Sequence, residues 1–344
     1  MTQIPRPYFI LIVMIQAVVL AGSGVTGSRP AAAQNQMIFF QIATGGVDGT
    51  YYPLGTAIAN AISLPPGSRP CEEAEECGVQ DLVASAQSSN GSVDNVNAVE
   101  VGLVSSAFAQ ADIVYAAYSG TGPFAGKPPM TKLRALGHLY PEVLHVLARK
   151  EAKINSVRDL IGKRVSIDEP GSGLLVMVRD IFAAYGIDEN DMTASYLKPG
   201  PAVDMLARGE LDALFQISGM PSQLVASTAE NRDITLVTLD GPPVGKLLDT
   251  HRFLARYSIP EGTYQDVKEV ETLSVGSQWI VSESLPEELV YDICRALWNK
   301  NTRRIMDEGH PQGRNVKLES ALDGIAIPLH SGAERCYRDL GVLQ

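Results

Sequence analysis

Positive charge is scarce in this chain. Lys and Arg together number 28 against 39 Asp and Glu, and they form no cluster of the kind that phosphate backbones require, so nucleic acid is excluded as a partner. Cysteine is scarcer still. Four in 344 residues exclude a disulfide scaffold, and the length is ample for cores that need no metal. The common catalytic signatures are missing: there is no G-x-x-x-x-G-K-[ST], H-E-x-x-H or G-x-S-x-G. His138, His145, His251, His310 and His330 are scattered without ligand spacing, so neither a metal nor a cofactor is expected. A single G-x-G-x-x-G, Gly22 to Gly27, follows no strand and is a chance match. Beyond Tyr8–Ala21 no apolar run approaches the roughly 18 residues of a membrane span.

What is present is ordinary globular material, 45% hydrophobic, long enough for two domains of about 100–200 residues each. The first residues differ. Arg6 precedes the apolar run, and small residues lead to Ala31-Ala32-Ala33, the pattern of a secretory leader removed after Ala33. Losing residues 1–33 takes away Arg6 and Arg29, so the charge moves from −11 to −13 over 311 residues. The expected product is exported to the periplasm, soluble and monomeric. In an oxidising compartment Cys71 and Cys77, with five residues between them of which four are Glu, suit a small clipped loop worth about 2 kcal/mol. Cys294 and Cys336 either form a second bridge or stay as buried free thiols.

Short apolar runs alternate with helical periods along the rest of the chain. Strands are expected over 38–44, 82–87, 101–105, 133–139, 143–149, 163–168, 212–217, 234–239 and 273–281. Helices are expected over 53–63, 92–99, 111–117, 173–185 and 201–208. Ser156 caps a short helical turn over 157–161. Ser284 with Glu287 reads as a capping box for a helix carrying Leu289, Ile293, Ala296 and Leu297 on one face. The alternation predicts an α/β protein with largely parallel sheets.

Two Gly-rich turns join strand to helix: Thr44-Gly45-Gly46-Val47-Asp48-Gly49-Thr50-Tyr51-Tyr52 and Pro170-Gly171-Ser172-Gly173. Free N–H groups and the positive end of the helix dipole make each a seat for a carboxylate. Gln87-Ser88-Ser89, Gly91-Ser92, Gln110, Asp112 and Ser218-Gly219 fall at strand ends, where α/β crevices form. These are mostly neutral donors and acceptors without an evident catalytic base, an inventory suited to binding. The alternative is an exported two-lobed enzyme, for which His145 or Asp112 would be the base.

Seven segments resemble the TAXI family of solute-binding proteins, the receptors of TRAP-type transporters. They are "IATGGVDGTYYPLGTAIANAIS" (42–63), "GSVDNV" (91–96), "QAD" (110–112), "GHLYPEVLHVLAR" (137–149), "LIGKRVSIDEPGSG" (160–173), "GELDALFQISGMP" (209–221) and "IPLHSGAERCYRDLG" (327–341). The resemblance implies a two-lobed periplasmic-binding-protein fold of the second type with two hinge crossings. One lobe would be built from 34–143 and 275–344, the other from 144–274, with crossings within 143–149 and 273–281. It also implies a TRAP-type permease as partner and a small organic anion or amino acid as ligand, glutamate-like amino acids and dicarboxylates among them. The implied ligand-facing residues are Thr44, Gly46, Thr50, Tyr51, Tyr52, Ser92, Asn95, Gln110, Gly171, Ser172 and Gly173, and Ser218 joins the candidates from its place at a strand end. Leu174 stands where the family often has Thr, so a hydroxyl is missing there.

Overall fold

The computed structural model describes residues 37–68 and 77–344. The expected leader over 1–33, and Cys71 of the expected clipped loop, lie outside the described residues. The chain begins with β1 (Ile38–Ala43), α1 (Tyr51–Ile62), β2 (Ser63–Leu64), β3 (Val79–Gln80), β4 (Leu82–Gln87), α2 (Ser92–Glu100), β5 (Ser106–Gln110) and α3 (Ala111–Ser119). The long β6 (Leu133–Arg149) is followed by β7 (Arg164–Ser166), α4 (Gly173–Tyr185), β8 (Thr193–Ser195), α5 (Pro199–Ala207) and β9 (Ala213–Ser218). Then come α6 (Gln223–Asn231), β10 (Ile234–Leu236), α7 (Gly241–Thr250), β11 (Leu254–Ile259), β12 (Val270–Ser282), α8 (Glu287–Leu297), α9 (Lys300–Gly309) and α10 (Ser331–Asp339).

One mixed sheet runs β4-β1-β5-β12-β6-β9-β7-β8, with β10 added to β6 and β11 to β12. The antiparallel pair β6 and β12 threads the whole of it. β5 pairs with the C-terminal end of β12, Ser277–Val281, and β9 pairs with the C-terminal end of β6, Val143–Ala148. The sheet therefore has a terminal half, β4-β1-β5 with the adjoining strand ends, and a central half, β9-β7-β8 with the others. At their junction Pro141 opposes Gly276, and the β6–β12 register shifts just beyond. Proline offers no N–H to a ladder, so pairing is interrupted where the strands pass from one half to the other.

Both faces of each half are covered, which is why its strands read as continuous apolar runs. Along β6, Leu144, Val146 and Ala148 join a core with Val165, Leu175, Phe182 and Phe215, whereas Val143 and Leu147 join one with Leu206, Leu214 and Ile259. In the terminal half Phe40, Leu54, Ile58, Trp279, Val290 and Tyr337 fill one face; Val96, Ala107, Val114 and Ile280 fill the other. Cys294 and Cys336 form a disulfide between α8 and α10 inside the first of these cores.

Several expectations are corrected. The strand expected at 101–105 is β5, Ser106–Gln110, because Val101 and Leu103 are 77% and 73% exposed in the turn that ends α2. Small residues such as Ala107 and Ala109 carry the buried strand instead. The separate strands expected at 133–139 and 143–149 are the single strand β6. The capping box at Ser284 does not form: α8 starts at Glu287 with Pro286 at its N-cap, and Ser284 bonds Ser282. Gly241-Pro242-Pro243, just past the strand expected to end at 239, opens α7, since prolines in a first helical turn lose no needed N–H. The strand β11 and the helix α6, the latter capped by Ser222, went unread. Among the described residues no helix is long and apolar enough to cross a membrane.

Candidate functional site

The first glycine turn is anchored by polar bonds among strand ends. The Thr44 hydroxyl donates to the Gln87 carbonyl at 2.7 Å, and the Asn95 amide donates to the carbonyls of Thr44 (2.6 Å) and Phe108 (2.7 Å). Thr44 and Asn95 thus tie β1, β4 and β5 together. The Ser92 hydroxyl accepts the Gln110 N–H at 3.0 Å, fixing the start of α2 against the end of β5. From this floor the chain enters α1 at Tyr51. No described side chain caps its N-terminus and no acidic residue occupies its first turn, so the positive end of its dipole is left free.

In the second turn Ser172 is committed to structure. Its hydroxyl donates to Asp168 at 2.6 Å and accepts the Leu174 N–H at 2.9 Å, capping α4. The two turns then meet. Val93 and Asp94 N–H, at the start of α2, donate to the Gly171 carbonyl at 3.0 and 3.1 Å. That helix terminus, where the resemblance implies ligand-facing residues, is filled by protein. Gly171 lies at φ +95°, and a Cβ there would strike the Asp94 carboxylate, so glycine alone permits the approach. Further bonds join the halves: the Thr50 hydroxyl accepts the Gly219 N–H at 3.1 Å, and Gln312 Nε2 donates to the Met220 carbonyl at 2.7 Å.

Between the turns is a cleft of about 80 Å³. Of the expected residues Gly46, Thr50, Tyr51, Ser92, Gln110, Ser172 and Gly173 line it. Thr44, Tyr52, Asn95 and Gly171 do not, and Ser218 lines a neighbouring cavity of about 190 Å³ with Gln216 and Thr50. The sequence reading missed Asp48, Glu142, Asp168, Glu169 and Lys198 as lining residues. Asp168 and Glu169 directly precede the second turn and could have been found there. Glu142 is brought in by the junction of β6 and Lys198 by the start of α5, for which no local signal exists.

The charge of this wall is negative. Among the described residues Lys198 is the only cation lining it, and Glu169 holds it at 3.2 Å. Glu142 is 3% exposed, and its Oε2 accepts the Tyr51 hydroxyl at 2.6 Å. Burial pushes its carboxyl up to about 8, opposed by the Tyr51 bond and reinforced by the nearby Asp112. Burial likewise raises Asp168 to about 6, against its bond from Ser172. The Gln110 amide is buried in the same wall, with no partner for Oε1 or Nε2 among the described residues.

Neither candidate base faces the cleft. His145 is buried, its Nδ1 beside the Val143 carbonyl (2.9 Å) and its Nε2 beside the Tyr264 hydroxyl (2.8 Å). Asp112 lines a separate cavity of about 610 Å³ between α3 and α4. Among the described residues no group of three or more His, Cys, Asp or Glu could hold a metal ion.

Comparison with known proteins agrees with this architecture. MatC from Rhodopseudomonas palustris, solved with bound malate, aligns with a TM-score of 0.50 at 12% identity, over 89% of this chain and 99% of its own. The periplasmic aliphatic sulphonate binding protein SsuA from Escherichia coli aligns at 0.44 and 15% identity, over 88% and 84%. The chain has the mixed α/β fold that MatC shares. Residues 42–341 match a family model, and the chain accordingly belongs to the NMT1-like family.

Proposed function

We propose that the chain is an extracytoplasmic solute receptor, without catalytic activity, that closes on a small carboxylate and delivers it to a TRAP-type permease. The observation that carries this reading is the uncapped N-terminus of α1 at a cleft whose walls come from both halves of the sheet. With only β6 and β12 passing between the halves, each half moves as a lobe about the Pro141–Gly276 junction. The first lobe consists of about 34–143 with 275–344, the second of 144–274. A solute that bonds both lobes favours the closed arrangement by its differential affinity. MatC, which shares the fold, holds malate, itself a dicarboxylate. The TAXI-like segments supply the TRAP permease as partner, and the leader over residues 1–33 supplies export to the periplasm as a monomer.

Calorimetry and thermal shift with a panel of amino acids and dicarboxylates test this. A solute at 100 times its Kd should stabilise the chain by about 2.7 kcal/mol. Saturable binding without product is expected. Steady turnover of a bound compound, or failure of every carboxylate to bind, would overturn the reading.

A further inference from the structure

The space between α3 and α4, about 610 Å³, is several times larger than the cleft between the glycine turns and shares no lining residue with it. Small-molecule sites commonly measure about 300–1,000 Å³. One wall is α3, from the terminal half of the sheet. The facing wall is α4 with the residues at and beyond the end of α7, Thr250 to Phe253, from the central half. Its apolar surface comes from Ile113, Tyr115, Ala116, Pro123, Val176 and Phe253. Tyr115 and Phe253 meet across the two walls, their ring centroids 5.2 Å apart.

The charged side chains that line this space are engaged, with one exception. Arg179 is held by both carboxylate oxygens of Glu189 at 3.1 Å. His251 stands between acceptors, its Nε2 3.3 Å from Asp180 and its Nδ1 3.0 Å from the Leu247 carbonyl, so His251 and Asp180 serve each other. Arg252 is exposed and lies over the rings of Tyr115 at 4.1 Å and Phe253 at 4.9 Å. Asp112 is left over: its Oδ1 is sealed from solvent and has no partner among the described residues. Burial raises its carboxyl to about 6, opposed by backbone N–H groups at the start of α3, so near pH 7 it is mostly the carboxylate. Of the charged groups acting on it, Asp180 from α4 makes that charge costlier and His251 relieves it. A buried carboxylate without a partner is costly, and a ligand that brings its own cation removes the cost.

We infer that this cavity is a second binding site, for an amine with an apolar body: the ammonium group pairs with the Asp112 carboxylate, and the body lies among Ile113, Val176 and the rings of Tyr115 and Phe253. The rim already shows the same chemistry within the chain, since Arg252 rests a cation on those two rings. An anionic ligand would bring a further negative charge beside Asp112 and Asp180. A neutral ligand would leave Asp112 unpaired. The site is independent of whatever fills the cleft between the glycine turns.

Calorimetry and thermal shift on the full chain at pH 7 test this with 2-phenylethylamine, with 2-phenylethanol and 3-phenylpropionate as probes of the same body, and with ethylamine as the cation without it. The aromatic amine should bind saturably and about 10- to 100-fold more tightly than the alcohol, the worth of one charge-assisted hydrogen bond. The carboxylate and ethylamine should both bind more weakly than the aromatic amine. Asp112→Asn should erase the advantage of the amine over the alcohol without lowering the melting temperature, because it removes an unpaired buried charge. Ala116→Trp, which fills the cavity from α3, should abolish amine binding while leaving Asp112 in place. No saturable binding of the aromatic amine, or equal affinity for it and any of the other three probes, overturns the inference. So does an advantage over the alcohol that survives in D112N, or undiminished amine binding in A116W. Each of these results leaves the receptor reading standing, because the cleft is lined by other residues.

Discussion

Gly171→Ala is the sharpest probe of how the two halves are held together. Its carbonyl accepts the N–H groups of Val93 and Asp94 from across the cleft, and the added methyl would strike the Asp94 carboxylate. Two costs must be separated. An alanine at φ +95° is strained by about 1–2 kcal/mol whether or not the halves meet. Losing the two cross-cleft hydrogen bonds adds about 1 kcal/mol each, and this part is specific to the closed arrangement. The closed form should therefore be disfavoured by about 2 kcal/mol, roughly 30-fold. Gly102→Ala is the matched control: Gly102 lies at φ +73° just after α2 with nothing near its Cβ position. Hydrogen exchange of the Val93 and Asp94 amides reads the effect directly, and both should exchange about 30-fold faster in G171A but not in G102A. Where closure is needed for capture, solute affinity should fall with the closed fraction. Unchanged protection of these two amides in G171A, or equal loss in G102A, would refute the account.

Other expectations follow from single contacts. Replacing both Cys294 and Cys336 by Ser opens a 42-residue link between α8 and α10 and should cost about 4 kcal/mol in denaturant melts. Asp212 accepts bonds from Arg164 Nη2 at 2.7 Å and Arg149 Nη2 at 2.9 Å, and the Arg164 bonds hold its carboxyl well below the usual range. Its contribution is present in full above the ordinary aspartate value of about 4 and is lost as pH falls toward and through the lowered one. Asp212→Asn should cost about 1–2 kcal/mol at pH 7, discounted for its partial exposure, and should flatten the acid limb of stability. Ser172→Phe should fill the cleft and weaken solute binding, and unchanged affinity by calorimetry would remove Ser172 from the site.

Elements whose signals are local were legible in the sequence. The helix spacing of Leu54, Ile58 and Ile62 gives α1, and Ser156, the cap expected there, forms a capping box with Asp159. The glycine turns were visible because strand, turn and helix adjoin in the chain. What the turns do was only partly visible. That the start of α2 would be filled by the Gly171 carbonyl depends on residues 78 positions apart meeting in space, which no local pattern encodes. Glu142 was similarly hidden. It is one of several polar residues in a mostly apolar strand, and only the pairing of β6 with β12 shows that it stands at the junction beside Tyr51. The opposite error occurred at Val101 and Leu103, where apolar residues in a turn imitate a strand and the real strand next to them is built on alanine.

The passage of β6 and β12 through both halves also sets an order of assembly. Every core residue of the central half comes from one stretch of chain except Ala111, so that half can condense without waiting for either end. The terminal half cannot. Phe40 and Leu54 bury themselves against Trp279, Val290 and Tyr337, partners more than 200 residues away, and such contacts are slow to close. The Cys294–Cys336 link shortens that search, because it can hold α8 and α10 as one preformed lid before β1 and α1 arrive beneath it. Deleting α10 should therefore leave a folded central half joined to an open terminal one, in which a cleft with one firm wall no longer has a second wall to close against.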